Sequence, residues 1–219
     1  MKPEENILFN GINSFDCHRM IECFNVECRK FKAGNSIINF SKSSENIGII
    51  LSGSAVTVKY DINGNRTIVE KLEEQSLFGE FFTFSGASRN SMEVICETNC
   101  EVMFVKYSEL TKRCEKACLC HSKVVENLLM LMSEKAISLS ERIEVLSQRT
   151  IEEKVISCLQ IIEDKTPEGK TPQIPFSTTA LSDYLCVNRS ALQRELTKLK
   201  NNGILSITKR KFKLIRNNN

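Results

Sequence analysis

The sequence is poor in histidine, with only His18 and His121, and it contains no Cys-x2-Cys pair and no long apolar run. Two histidines leave a histidine-based catalytic triad little to work with. No nucleophile–base pair is recognisable either, so an enzyme is the weakest reading. Without a Cys-x2-Cys pair a zinc ribbon is poorly supported. A membrane span takes about 20 consecutive apolar residues, and none is present. The stretch from Met1 to Asn6 also lacks the apolar core of a secretory signal. The expectation is a cytoplasmic protein with no membrane partner. There is no internal repeat and no low-complexity tail beyond Asn217 to Asn219.

What is present is a chain of 219 residues, 41% of them apolar. That is enough for two domains of roughly 100 residues each. Its ten cysteines are many for a cytoplasmic chain. A disulfide framework is not expected in a reducing compartment. Cys17, Cys23 and Cys28 are spaced six and five residues apart, and Cys114, Cys118 and Cys120 form a second group. The three N-terminal cysteines with one distant cysteine leave an iron–sulfur cluster open as a cofactor. The alternative is buried or incidental thiols. His18 beside Cys17 and His121 beside Cys120 keep haem or another metal open in the same way. The sequence itself requires no cofactor and fixes no metal ligand.

Net charge is +3, but unevenly placed. Residues 149–219 hold 13 Lys or Arg against 7 Asp or Glu, whereas residues 1–148 hold 17 against 20. The basic excess coincides with the most informative segment, Phe176 to Lys200. It reads as two short helices joined by a tight turn. Leu181 and Leu185 give the first an apolar side, and Leu192, Leu196 and Leu199 give the second its own. Arg189, Ser190, Gln193 and Arg194 fall off that stripe and face outward, as a helix entering a major groove requires. After Gly203, Ile204 to Ile215 reads as a basic β-hairpin with Lys209, Arg210 and Lys211 at its tip. A helix is expected over about 151–163 and a Pro-rich loop over 164–175.

Upstream the pattern differs. Residues 5–28 read as short and helical, with Ile12, Phe15 and Met20 apolar. From about 29 to 106 there are short alternating runs. Ile47 to Tyr60 reads as two strands with a glycine turn at Gly53, Thr67 to Leu72 as a further strand, and Val94 to Val105 as a hairpin. Several short strands with frequent turns predict an antiparallel barrel or jelly roll, making the chain α+β. A long helix follows. Val125, Leu129, Met132, Ala136, Leu139, Ile143 and Leu146 are separated alternately by four and three residues, a heptad seam without Pro or Gly. Such a seam predicts pairing with a second copy of the chain, the rival being packing on its own barrel. Small Ala136 allows close approach.

The order of parts, barrel then pairing helix then winged helix–turn–helix, resembles the CRP/FNR family of bacterial transcription regulators over nearly the whole chain. Phe31 to Ile37 is similar to the family's opening turn, Ile50 to Val56 to its glycine hairpin, Leu77 to Glu80 to the Gly-Glu of its phosphate-binding cassette, and Arg189 to Arg194 to its recognition helix. The resemblance implies an effector domain over 1–120, a dimerisation helix over 121–147 and a DNA-binding domain over 148–219. It also implies RNA polymerase as a further partner. In members that bind cyclic nucleotides a cassette glutamate takes the ribose and an arginine followed by Ser or Thr takes the phosphate. Here the arginine position falls on Asn90 and the next on Ser91, with Arg89 one residue early, which on a strand points to the opposite face. A buried phosphate without a cation is costly, so the effector is expected not to be cyclic AMP. Gly79, Glu80, Phe81, Phe82, Arg89, Asn90 and Ser91, with Met132 and Ala136 from the long helix, are the candidate pocket. The cassette aromatics, Phe84 among them, either floor an apolar effector site or fill it.

The functional expectation is a homodimeric regulator of double-stranded DNA with a palindromic operator, its effector unidentified. An effector would shift the long helix and rotate the DNA-binding domains; an always-active protein fits equally. Arg189 and Arg194 are the candidates for guanine, Ser190 and Gln193 tune the choice, and Thr178, Lys198, Lys209 and Arg210 hold phosphates. One alternative is a redox or oxygen sensor of FNR type with a cysteine-ligated cluster, although its cysteine spacing differs from that type. A rival of another class is a ligand-binding module whose winged domain contacts protein.

Overall fold

The computed structural model describes residues 3–40, 45–80, 92–111 and 119–215. They form two compact units, Met1–Glu134 and Lys135–Asn219. The division falls inside one long helix.

The first unit opens with two 3-10 turns, Pro3–Glu5 and Ile7–Phe9, and helix α1 (Ser14–Cys23). Eight strands follow: β1 (Glu27–Phe31), β2 (Ser36–Asn39), β3 (Asn46–Ser52), β4 (Ala55–Tyr60), β5 (Arg66–Leu72), β6 (Leu77–Phe78), β7 (Met92–Cys96) and β8 (Cys100–Lys106). They make two antiparallel four-stranded sheets, ordered β1-β8-β3-β6 and β2-β7-β4-β5. A short α2 (Tyr107–Thr111) and the long α3 (Leu119–Ser147) come next.

Period-two alternation explains how one sheet serves two cores. Ile50 of β3 and Val102 and Phe104 of β8 point inward to meet Ala55, Leu72 and Val94 of the other sheet. Ile47, Ile49 and Leu51, with Met103 and Val105, point the other way. They are covered by Leu8, Phe9, Met20 and Phe24 and by Val124, Leu128 and Leu131 of α3. A strand buried on both faces loses its polar alternation, which is why Ile47 to Leu51 reads as a nearly continuous apolar run.

Two expectations change in this unit. Val94 to Val105 is not a hairpin: β7 pairs with β2 and β4, and β8 with β1 and β3, so the chain changes sheets across Glu97 to Asn99. The turn at Gly53 likewise joins strands of different sheets. Gly53 has φ +88°, and a Cβ there would stand 2.2 Å from the Asn99 carbonyl oxygen, so no larger residue fits. The N-terminal region is shorter in helix than residues 5–28: α1 ends at Cys23, and β1 begins at Glu27.

The second unit holds the rest of α3, then α4 (Ile151–Asp164), α5 (Thr178–Leu185), α6 (Arg189–Asn201), β9 (Leu205–Thr208) and β10 (Lys211–Leu214). Thr150 and Glu153 form a capping box that starts α4, the threonine hydroxyl accepting from Glu153 N–H at 3.1 Å and the carboxylate from Thr150 N–H at 2.9 Å. Val145, Val155, Leu159, Phe176, Leu181, Leu192, Leu199 and Phe212 make one core. Among the described residues no helix is long and apolar enough to cross a membrane.

Candidate nucleic-acid interface

The two short helices are set by their caps. The Ser177 hydroxyl accepts from Ala180 N–H at 3.1 Å and starts α5. Cys186, in the left-handed region at φ 55°, ends it by donating its N–H to Ser182 O. Two residues later the Asn188 side chain accepts from Ser190 N–H at 2.9 Å and starts α6. A three-residue turn therefore separates the helices. Leu192, Leu196 and Leu199 are buried, as the spacing requires, and Arg189, Ser190, Gln193 and Arg194 are all exposed.

The wing is a tight hairpin. Thr208 pairs with Lys211, leaving Lys209 and Arg210 as the turn. Lys209 has φ 57°, so the tip carries strain in a residue that is not glycine. The 164–175 segment supports it: Ile174 N–H donates to Arg210 O at 2.8 Å, and Phe212 N–H to Pro172 O at 3.1 Å.

Between α5, α6 and the wing lies a concavity of about 390 Å³. Thr178, Gln193, Lys209 and Arg210, four of the residues expected on DNA, line it together with Thr197 and Lys200. Among the described residues no Asp or Glu lines it. Lys200, Lys209 and Arg210 form no ion pair among the described residues, so their charge is available to an anion. Lys198 differs. Its ammonium donates to Glu152 at 2.8 Å and to Glu195 at 3.1 Å. Those hydrogen bonds hold its pKa above the ordinary lysine value, while Lys198 in turn lowers that of Glu152. Lys200 and Thr197 were missed from sequence; the available signal was their place on the Gln193-Thr197-Lys200 stripe of α6.

The helix seam is exposed at most of its positions. Leu129 and Ile143 are 59% and 65% exposed, and Val125 and Ala136 also face solvent. Met132, Leu139 and Leu146 are half-buried. The neighbouring stripe is what packs within the chain: Val124, Leu128 and Leu131 against the first unit, Val145 within the second.

In the cassette, β6 is followed by Gly79 at φ +87°, where a Cβ would meet Asn46 O at 3.0 Å. Glu80 is fully buried. Phe81, Phe82, Phe84, Arg89, Asn90 and Ser91 lie outside the described residues, as do Cys114 and Cys118. Met132 packs against the core beneath the outer face of the first sheet. Cys17 is buried there, its thiol pKa raised by burial and then by Glu4, whereas Cys23 and Cys28 are exposed. His121 places Nε2 at 2.9 Å from Leu110 O and its ring edge-on to Phe24. His18 Nδ1 lies 2.7 Å from Ser14 O. Among the described residues no three His, Cys, Asp or Glu side chains gather as a metal site would require.

The profile of the cyclic nucleotide-binding domain matches residues 28–117, from within β1 through β8. Solved structures align over most of the chain. FixK2 from Bradyrhizobium japonicum is 19% identical with a TM-score of 0.65, covering 88% of this chain and 93% of its own. CLP of Xanthomonas campestris, a c-di-GMP responsive global regulator, is 14% identical with a TM-score of 0.70, covering 91% and 99%. A CRP/FNR-family transcriptional regulator from Thermus thermophilus is 16% identical with a TM-score of 0.62, covering 87% and 94%. The fold is that of the CRP/FNR regulators. The α+β architecture and the resemblance carried by the sequence motifs both hold. No curated protein matches the chain by sequence.

Proposed function

We propose that this CRP/FNR-type chain is a homodimeric, sequence-specific DNA-binding transcription regulator. The observation that carries the reading is the helix–turn–helix itself. One face of α6 is sealed by Leu192, Leu196 and Leu199, the other offers Arg189, Ser190, Gln193 and Arg194, and beside it lies a cleft edged by Lys200, Lys209 and Arg210 and lined by no acid among the described residues. Arg189 and Arg194 read guanine through O6 and N7. Thr178, Lys200, Lys209 and Arg210 hold backbone phosphates and fix register. Lys198, tied to two carboxylates, makes the weaker phosphate contact.

Dimerisation through Val125, Leu129, Met132, Ala136, Leu139, Ile143 and Leu146 explains an apolar stripe that the single chain leaves largely uncovered. It sets two recognition helices about 34 Å apart, one turn of DNA. In this reading residues 121–147 are the dimerisation helix, joining an effector domain over 1–120 to a DNA-binding domain over 148–219. The effector is taken by the first domain, near Gly79 and Glu80, and is not cyclic AMP, because Asn90 stands where the phosphate needs an arginine. No catalytic role is assigned.

A gel shift with a palindrome library tests the reading. Retention of a defined palindrome supports it. No retention of any duplex, together with capture of a protein by the winged unit, favours the protein-contact alternative.

A further inference from the structure

One buried polar group of the second unit lies off the recognition surface and keeps an unpartnered donor. Arg142, on α3, is only 8% exposed. Its Nη1 is buried without a hydrogen-bond partner. The adjacent carboxylate, Glu141, is bonded to Lys165 of α4. What the guanidinium meets is Tyr184 on α5: Cζ lies 4.4 Å from the ring centroid, and the Arg142 side chain is also within hydrogen-bonding reach of the Tyr184 hydroxyl. Tyr184 is itself stacked on Phe176, with centroids 4.7 Å apart and planes at 27°. Cys158 of α4 is buried in the same core and feels the guanidinium.

A buried cation is ordinarily paired with a carboxylate and hydrogen-bonded throughout. Here the face and hydroxyl of one phenol supply the attraction, replacing only part of the lost hydration. The idle donor at Nη1 is a standing penalty. The penalty falls where α5 rests on the end of α3, and α5 carries α6 with it through the three-residue turn.

We propose that Arg142 is a positioning residue for the recognition helix. Through Tyr184 it seats α5 and α6 against the end of α3, and its charge, with one idle donor and no carboxylate partner among the described residues, keeps that seat shallow, so that the helix–turn–helix leaves it by local opening. The DNA consequence rests on the function proposed above; the opening itself does not.

Cys158 is a built-in probe of this opening. Burial pushes its thiol up to about 12, so it reacts slowly while covered. The full chain is treated with N-ethylmaleimide, and modification at Cys158 is followed by peptide mass spectrometry, separately from exposed Cys23, Cys28 and Cys186. In the wild type, Cys158 is expected to react faster than global unfolding permits, with weak dependence on denaturant. Arg142→Met, similar in length but uncharged, should slow that reaction about tenfold or more without lowering the melting temperature. Arg142→Lys, which keeps a charge, should stay near the wild-type rate. A selected duplex should slow Cys158 in the wild type. Reaction only through global unfolding, or faster reaction with a lower melting temperature in Arg142→Met, overturns the proposal. A duplex that binds yet leaves Cys158 unchanged overturns the coupling to recognition. If no duplex binds, the DNA reading fails, and the comparison of variants still decides the role of Arg142.

Discussion

Replacing Leu129 and Ile143 separates the two apolar stripes of α3. Full burial of a Leu or Ile side chain is worth about 1.5–3 kcal/mol. In the single chain Leu129 and Ile143 keep 59% and 65% of their surface exposed, so a partner has more than half of each left to cover. Leu129→Ala should therefore cost about 1–2 kcal/mol per copy, or about 2–4 kcal/mol per symmetric dimer. At 1.4 kcal/mol per decade that weakens the dimer by roughly thirty- to several-hundred-fold. Because Leu129 lies outside the core of its own chain, the fold itself should lose no more than about 0.5 kcal/mol, read for the monomer at low concentration. Leu128, one position away and 7% exposed in the core, is the control. Leu128→Ala should destabilise the fold by about 2–5 kcal/mol. Sedimentation velocity across a dilution series gives the first quantity and denaturant unfolding the second. A Leu129→Ala protein with an unchanged dimer constant would refute the seam. So would a Leu129→Ala variant that unfolds as readily as Leu128→Ala.

Arg194→Ala should cost about 1–3 kcal/mol on the selected operator and relax preference at one base pair, as read by competition among single-base variants; a uniform loss on every sequence would move Arg194 to the backbone class. Lys200→Ser should instead weaken all duplexes nearly equally and reduce the salt slope by about one, whereas Lys198→Ser should do less, since Glu152 and Glu195 already engage that ammonium. Thr150→Ala removes the capping box of α4 and should lower stability by about 1 kcal/mol in denaturant titration. The Glu153 carboxyl in that box is held below its ordinary pKa by hydrogen bonds from Thr150, so its stabilisation is present above the unfolded value and is lost as pH falls through the folded one. The gap between wild type and Thr150→Ala should therefore narrow in acid. Protein purified without oxygen is expected to be colourless and free of iron; a brown, iron-containing sample would turn the account toward a redox sensor.

The second unit was the more legible half. The leucines of α5 and α6 repeat at helical spacing, and the wing announces itself by its cluster of Lys and Arg, so local pattern settled both. The first unit resisted where partners had to be chosen. Alternation along Val94 to Val105 tells which side chains share a face, but not that β7 and β8 belong to different sheets. That is set by long-range pairing, β7 with β2 and β4 and β8 with β1 and β3, and the crossing at Asn99 packs against the bare Cα of Gly53. The seam of α3 was visible as a heptad, yet an adjacent stripe with nearly the same spacing serves the intramolecular core, and only burial separates Leu128 from Leu129. The pairing of Lys198 with Glu152 was hidden for another reason: the two lie 46 residues apart in sequence, whereas Glu195 is a neighbour on the same helix. Nothing in the local sequence of Arg142 marks it as buried against Tyr184.

The central claim is that two copies of this chain present two α6 helices to one palindromic duplex. The most direct measurement is the mass of the complex formed with a duplex selected from a random pool. Two chains per duplex, on half-sites whose centres lie about 34 Å apart, with binding lost when Arg189 and Arg194 are both replaced by alanine, is the predicted result. One chain per duplex, or binding that survives the double replacement, would contradict it.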